Sequence, residues 1–399
     1  MSVFSPLGLD LAKTLALIKK GQCAVKVVPE WDEYKGLRTR LAARLPEFDF
    51  PENYTLKATR CMGRAARLAT YTSELALRQA NLLDDSFQLH PSVQDGSCGI
   101  AYGSGISSTD ALENVCNFLY NKATRGINGT TYLRMMSHTS PANIGIFFGI
   151  NGRVIPTSSA CTSGSLAIGY AYETIREGKQ KLMIAGGSEE FSPAIAAIFD
   201  VLFACSLKKE NSPRPFDKDR DGMVVGEGAC TFILEDMDHA LARGANIIAE
   251  IIGFGTNSDG CHVTSPNLET VRKCMSDAMK DAGISPSELA YINAHATGTI
   301  VGDIVESEAT YDLFSNEVPV SSLKGHLAHL LGASGAVEAA ATIGMLKQGW
   351  LAPTLHLEQV DERCKQLDYI QSVRECSGNI AMSNTFAFGG VNTSLIFKL

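Results

Sequence analysis

The sequence predicts an α/β protein. Helical and strand patterns alternate along its whole length, and its short apolar runs end repeatedly in glycine-rich turns. The 399 residues suffice for about two or three domains and a sizeable core. A composition of 45% hydrophobic and 20% charged residues excludes a disordered, collagenous or coiled-coil chain.

Taken in order, residues 10–20 read as an amphipathic helix, with Asp10 in its first turn, Lys19 and Lys20 in its last, and Gly21 as its stop. Residues 56–80 read as a longer helix that carries Lys57, Arg60, Arg64 and Arg67 at helical spacing. Residues 99–105 form a strand running into a glycine-rich turn. A second strand covers 153–159, and a helix over 162–177 stops at Gly178. Another buried strand occupies 181–186. The longest polar loop, rich in Pro, Asp and Gly, spans 211–228 and precedes a strand at 229–235. Residues 247–254 open a second unit, which puts the domain boundary near 238–247 and divides the chain into 1–240 and 241–399.

Several function classes are disfavoured at once. A net charge of -8 argues against nucleic-acid binding. Apolar runs such as 144–150 are too short to span a bilayer, and Pro6, Gly8 and Asp10 break any secretory pattern. The 11 cysteines are scattered without a C-x-x-C pair, which predicts reduced thiols in a cytoplasmic protein and no zinc site.

Cys161 is the first candidate for chemistry. It sits in Ser158-Ser159-Ala160-Cys161-Thr162-Ser163-Gly164-Ser165, where a strand ends and a helix begins. The positive end of the helix dipole is expected to lower its pKa, and its small neighbours give a substrate access to the sulfur. From this segment alone, a buried core cysteine is an equal reading. Two histidine segments change the balance. Asn293-Ala294-His295-Ala296-Thr297-Gly298-Thr299 follows a short apolar strand, with Asp303 and Glu306 beyond. Lys324-Gly325-His326-Leu327-Ala328-His329 precedes a glycine-rich turn and a helix carrying Glu338. A third turn, Asn384-Thr385-Phe386-Ala387-Phe388-Gly389-Gly390, offers backbone amides to an oxyanion.

Together these segments resemble the β-ketoacyl-acyl-carrier-protein synthases, a family of condensing enzymes. The resemblance covers nearly the whole chain. It rests on S-S-A-C-x-S, on R-P-F-D-x-x-R-D-G-x-x-x-G-E-G-A from Arg214 to Ala229, on N-A-H-x-T-x-T, on K-x-x-x-x-H-x-x-G-A-x-G and on N-x-F-x-F-G-G. It implies a thiolase-like, five-layered αβαβα fold of two βαβαβ halves, the first carrying the cysteine and the second both histidines. It further implies decarboxylative condensation of an acyl group with malonyl-acyl carrier protein, in fatty-acid or polyketide chain elongation, with no cofactor beyond the phosphopantetheine of the carrier protein.

Carried over by residue, Cys161 is the acyl acceptor, and His295 and His329 hold the malonyl thioester carbonyl. Lys324 hydrogen-bonds into this group and pairs with Glu338. Thr297 and Thr299 meet the phosphopantetheine arm. The amides of Cys161 and Phe388 form the oxyanion hole, with Phe386, Phe388 and Gly389 in the gate. Ile106 lines the far end of the acyl pocket, and Phe199 and Asp200 flank it. Lys57 and Arg60 dock the carrier protein, unless they are an ordinary solvated helix face. A homodimer is implied, with strand 153–159 pairing across a two-fold axis; a heterodimer with a ketosynthase-like partner is its variant.

The sequence departs from the family pattern in places. Ala328 precedes His329 where glycine is usual, and spacing to Lys324 and Gly332 selects His329 over His326. Ala387 replaces a common glycine in the gate, where it is expected to stiffen the turn. The chain begins inside the family's first motif, so most of the first core strand is expected to be absent. Two other functions remain in view: a non-catalytic chain-length factor, which typically lacks the cysteine, and a thiolase-like acyltransferase using coenzyme A thioesters.

Overall fold

The computed structural model describes residues 1–399 and arranges their strands chiefly in two mixed sheets. The first contains β1 (Ser2–Phe4), β2 (Cys98–Gly103), β3 (Val154–Pro156), β4 (Leu182–Glu189) and β5 (Gly228–Glu235), in the order β1-β5-β4-β2-β3. Its β3, β2 and β4 run parallel, while β5 is antiparallel to both β4 and β1. The second contains β6 (Glu250–Ser258), β7 (Tyr291–Asn293), β8 (Pro319–Ser321), β9 (Asp368–Tyr369), β10 (Ile380–Phe386) and β11 (Val391–Lys398), in the order β9-β8-β7-β10-β11-β6. There β9, β8, β7 and β10 are parallel, and β11 is antiparallel to its two neighbours.

Side-chain alternation along the strands builds the layers. Ile100, Tyr102, Leu182 and Ile184 pack against outer helices α1 (Arg64–Gln79) and α2 (Thr139–Phe148). The intervening Ala101, Met183 and Ala185 share a core with the central helix α3 (Ser163–Arg176). In the second sheet Ile292, Met382 and Ile396 meet the outer helices α4 (Leu268–Ala282) and α5 (Ile300–Phe314). Its inward Tyr291, Ala381 and Leu395 join the second central helix, α6 (Ser334–Lys347). Five layers result: helices, sheet, central helix pair, sheet, helices.

The two central helices approach closely because their first turns carry glycine. A Cβ at Gly164 would lie 2.9 Å from the Gly332 carbonyl oxygen, and one at Gly335 would lie 2.7 Å from Ser165 Cβ. The starts of α3 and α6 are therefore brought together, and with them the turns that precede each helix.

Four sequence expectations need correction here. The helix expected over 56–80 is two helices, Leu56–Thr59 and α1, because Gly63 takes an extended conformation and packs against Ser108, leaving no room for a Cβ. The strand expected over 153–159 is only Val154–Pro156; Thr157 onward turns toward Cys161. The polar loop 211–228 is largely buried, and its last residues join short β structure. The first core strand is present as Ser2–Phe4, paired with Ala229–Thr231. No helix is long and apolar enough to cross a membrane.

Candidate active site

Cys161 lies in a 3-10 turn, Ala160–Thr162, that leads directly into α3. Ala160 adopts φ +52°, which makes the turn sharp, and local hydroxyl groups satisfy its backbone. Ser163 Oγ donates to the Ala160 carbonyl at 2.7 Å and accepts from Ser159 N at 3.0 Å, while Thr162 Oγ1 donates to the Ser159 carbonyl. The serine- and threonine-rich sequence is therefore what folds the nucleophile turn.

The expected lowering of the thiol pKa does not hold. Burial pushes Cys161 up to about 12, and the charge of Lys324 and a hydrogen bond from the Phe388 amide pull it only part of the way back. Loss of hydration outweighs the start of the helix. The resting group is a thiol.

His329 Nε2 stands 2.9 Å from Cys161 Sγ, and Ser334 Oγ lies 2.9 Å from His329 Nδ1. In the tautomer where this hydroxyl donates to Nδ1, the neutral ring carries its proton on Nε2. The backbone of His329 is pinned on both sides, its N–H to the Val224 carbonyl and its carbonyl to Gly226 N–H. Thus the segment after the Arg-Pro-Phe-Asp motif supports the histidine. Ala328 is forced to φ +64°, ψ −175°, a conformation that favours glycine.

His295 faces His329 edge-on, with ring centroids 5.1 Å apart, and its Nδ1 is buried without a hydrogen-bond partner. Burial, then the charge of Lys324, holds both imidazoles well below their usual range, so both are neutral. Lys324 Nζ donates to Glu338 Oε1 at 2.7 Å, and Asn293 Nδ2 donates to Oε2 at 3.2 Å; lysine and glutamate are both buried. His326 is elsewhere. Its two ring nitrogens face the Gln22 and Pro353 carbonyls at 2.9 and 3.1 Å, a structural setting.

Two acids whose roles were not read from the sequence hold the His295 loop. Glu306 accepts from His295 N and Ala296 N at 2.7 and 2.6 Å. Asp303 accepts from Phe216 N and Gly298 N, and lies 3.6 Å from Arg220, which also pairs with Asp361. This buried network is what the Arg214–Ala229 motif builds. The available signal was the i, i+3 spacing of Asp303 and Glu306 in the first turns of a helix that follows the histidine loop.

Cys161, His295 and His329 line a cleft of about 270 Å³, together with Thr297, Thr299, Phe199, Phe386 and Phe388. Thr297 and Thr299 hydrogen-bond to each other at 3.1 Å. Phe388 and Phe199 approach to 6.1 Å between ring centroids, and Gly389 N bonds to the Val263 carbonyl. Positive φ in the gate falls on Gly389 and Gly390, not on Ala387, so alanine is accommodated there. Ile106 packs on the same apolar cluster as Phe199 and Phe388 but does not line the cleft. Asp200 does not flank it either. It is buried and pairs with Arg38, because neighbours on a helix diverge by about 100° and Phe199 takes the cleft side. Lys57 and Arg60 are exposed on the short helix and its cap, apart from Arg64, which pairs with Glu227.

An acyltransferase is the class that this fold and its relatives define. The chain belongs to the β-ketoacyl synthase family: residues 1–240 match that family's N-terminal domain and residues 248–358 its C-terminal domain. It is 34% identical to the 3-oxoacyl-[acyl-carrier-protein] synthase 1 of Haemophilus influenzae, over 99% of this chain and 97% of that protein. A β-ketoacyl synthase from Burkholderia phymatum STM815 has a similar crystal structure, with TM-score 0.96 and 47% identity, covering 100% of this chain and 97% of that one. A type II polyketide ketosynthase, solved in complex with its acyl-carrier protein, aligns with TM-score 0.87 and 26% identity over 100% of this chain and 97% of that one.

Proposed function

We propose that this chain condenses an acyl group held on Cys161 with malonyl-acyl carrier protein, giving 3-oxoacyl-acyl carrier protein and CO2. The observation that carries this reading is the placement of His329 Nε2 at 2.9 Å from Cys161 Sγ, with the His295 ring beside it on one cleft.

In the first half-reaction the sulfur of Cys161 attacks the acyl thioester carbonyl. The oxyanion is met by the Cys161 and Phe388 amides, and the carrier thiol leaves with the proton that Cys161 gives up. In the second, the bond from the malonyl methylene to its carboxylate breaks and CO2 departs. The electron pair forms an enolate whose oxygen is held by N–H donors of His295 and His329. The enolate carbon attacks the acyl carbonyl on Cys161, the carbon–sulfur bond breaks, and the released thiolate takes a proton from solvent to restore the resting thiol. Lys324 and Glu338 form a buried ion pair in the same site, and burial, then the Lys324 charge, keeps the rings neutral donors.

Thr297 and Thr299 serve the phosphopantetheine arm, and Phe386, Phe388 and Gly389 gate the acyl pocket beside Phe199, with Ile106 packed on the apolar cluster behind them. Lys57 and Arg60 receive an acidic carrier protein. The free edge of β3, where Val154 is exposed, suits pairing with a second copy of the chain. Eleven free cysteines suit a reducing cytoplasm. The presence of Cys161 with both histidines speaks against a non-catalytic chain-length factor.

The test is to supply the purified protein with acyl- and malonyl-acyl carrier protein, and in parallel with the coenzyme A thioesters. Equimolar 3-oxoacyl product and CO2 from the carrier-protein pair are expected. Product only from the coenzyme A thioesters, without CO2, would overturn the reading in favour of a thiolase-like transfer.

A further inference from the structure

Three short segments lie side by side at His329. Val225 and Gly226 pair in parallel with Ala42 and Ala43, and Val225 also bridges to His329. The His329 N–H donates to the Val224 carbonyl at 2.8 Å, and the Gly226 N–H donates to the His329 carbonyl at 2.9 Å. The ribbon 224–226 has no slack. A Cβ at Gly226 would lie 2.7 Å from Leu330 Cδ2 and 3.2 Å from the Ala43 carbonyl oxygen. A displacement of this ribbon is therefore passed to the backbone of His329.

The ribbon holds against strain. Ala328, at φ +64° and ψ −175°, keeps a conformation that a non-glycine residue retains only where its surroundings over-determine it. Relaxation of Ala328 would rotate the peptide it shares with His329. The hydrogen bond from His329 N–H to the Val224 carbonyl opposes that rotation.

Glu227 ends the ribbon and anchors it. It is buried, and its N–H donates to the Ala43 carbonyl at 2.9 Å. Its Oε2 accepts from Leu45 N at 3.2 Å and from Arg64 Nη2 at 3.1 Å, and its Oε1 accepts from Arg64 Nε. A buried carboxylate is costly unless donors meet it, and a two-pronged guanidinium is among the strongest that can. Arg64 is the half-exposed first residue of α1, so the ion pair ties an outer helix, through Glu227 and Gly226, to His329.

We infer that Arg64 and Glu227 are positioning residues for decarboxylation: their ion pair fixes the ribbon that pins His329, and so holds its ring at the malonyl thioester oxygen. This rests on the condensation reading above. Neither side chain lines the cleft; both act through the backbone of His329.

Arg64→Gln and Glu227→Gln each break the pair. CO2 release by the folded variants is followed at varied concentrations of malonyl-acyl carrier protein and of malonyl-pantetheine, which has no protein to meet α1. With both substrates kcat is expected to fall about tenfold at unchanged KM, short of the roughly 100-fold that a full 1 Å misplacement costs. Arg64→Lys keeps the charge without the two-pronged hydrogen bond, so a smaller fall of about threefold is expected. The double variant should fall no further than either single one, because both break one clamp. Arg64 is half-exposed, so Arg64→Gln decides the matter if Glu227→Gln does not fold. A raised KM for the carrier-protein substrate alone, with malonyl-pantetheine unaffected, would make Arg64 a docking residue and overturn the inference. Unchanged kcat in the folded variants, with only their stability lowered, overturns it too. Failure of the wild type to release CO2 from malonyl-acyl carrier protein overturns the condensation reading instead.

Discussion

His329 Nε2 and Cys161 Sγ stand 2.9 Å apart although 168 positions separate them in the sequence. Glycine at the crossing of the two central helices makes this possible. A Cβ at Gly164 would meet the Gly332 carbonyl oxygen at 2.9 Å and Ala336 Cβ at 3.1 Å. Gly164→Ala should therefore force the helix starts apart. A loss of about 1–3 kcal/mol in urea unfolding is expected. Condensation should fall by about 100-fold, as a displacement near 1 Å commonly costs.

The two neighbouring histidines should separate cleanly. His326 is tied to two backbone carbonyls and His329 faces the thiol. His326→Ala is expected to lower stability while keeping most malonyl decarboxylation, and His329→Ala to abolish decarboxylation. The reverse ranking in a CO2-release assay would mean that the catalytic register is misassigned.

Stability should carry a histidine signature in acid. Below pH 6.5 the unfolded chain takes up protons that buried His295 and His329 refuse, so stability falls with pH from 6.5 down to their depressed folded values. One such histidine is worth about 1.4 kcal/mol between pH 7.5 and 5.5. The stability advantage of wild type over His329→Asn should shrink by about that amount across this interval, measured by urea unfolding. Equal slopes would mean that the folded imidazole titrates in its ordinary range.

Ala328 should behave as a strained alanine. At φ +64°, ψ −175° it occupies a glycine conformation immediately before His329. Ala328→Gly is expected to raise unfolding free energy by about 1 kcal/mol, the balance of relieved strain and added chain entropy. A drop in stability would show that the Ala328 methyl, which lies against Gly226, contributes more packing than it costs.

Some of this was legible in the sequence because it is local. Small residues around Cys161 spell a strand-to-helix turn, and glycine-rich turns flank His295 and His329. The rest depends on distant partners. Glu227 reads as one position of a glycine-rich motif, and only the arrival of Arg64 from the outer helix gives it a partner. Gly63 alone does not break a helix; its contact with Ser108 does. The resemblance puts Asp200 beside the pocket with Phe199, whereas the helix turns it toward Arg38. The thiol pKa was read from the helix start, but burial, which no local pattern reveals, dominates it.

The most direct test is the mass of the protein after incubation with an acyl-carrier-protein thioester alone. One acyl group is expected on Cys161 by peptide mapping, with none on the other ten cysteines and none on the Cys161→Ala variant, which should also lose condensation. Formation of 3-oxoacyl product by Cys161→Ala, or acylation of the wild type at another residue, would contradict the assignment of Cys161 as the acyl carrier.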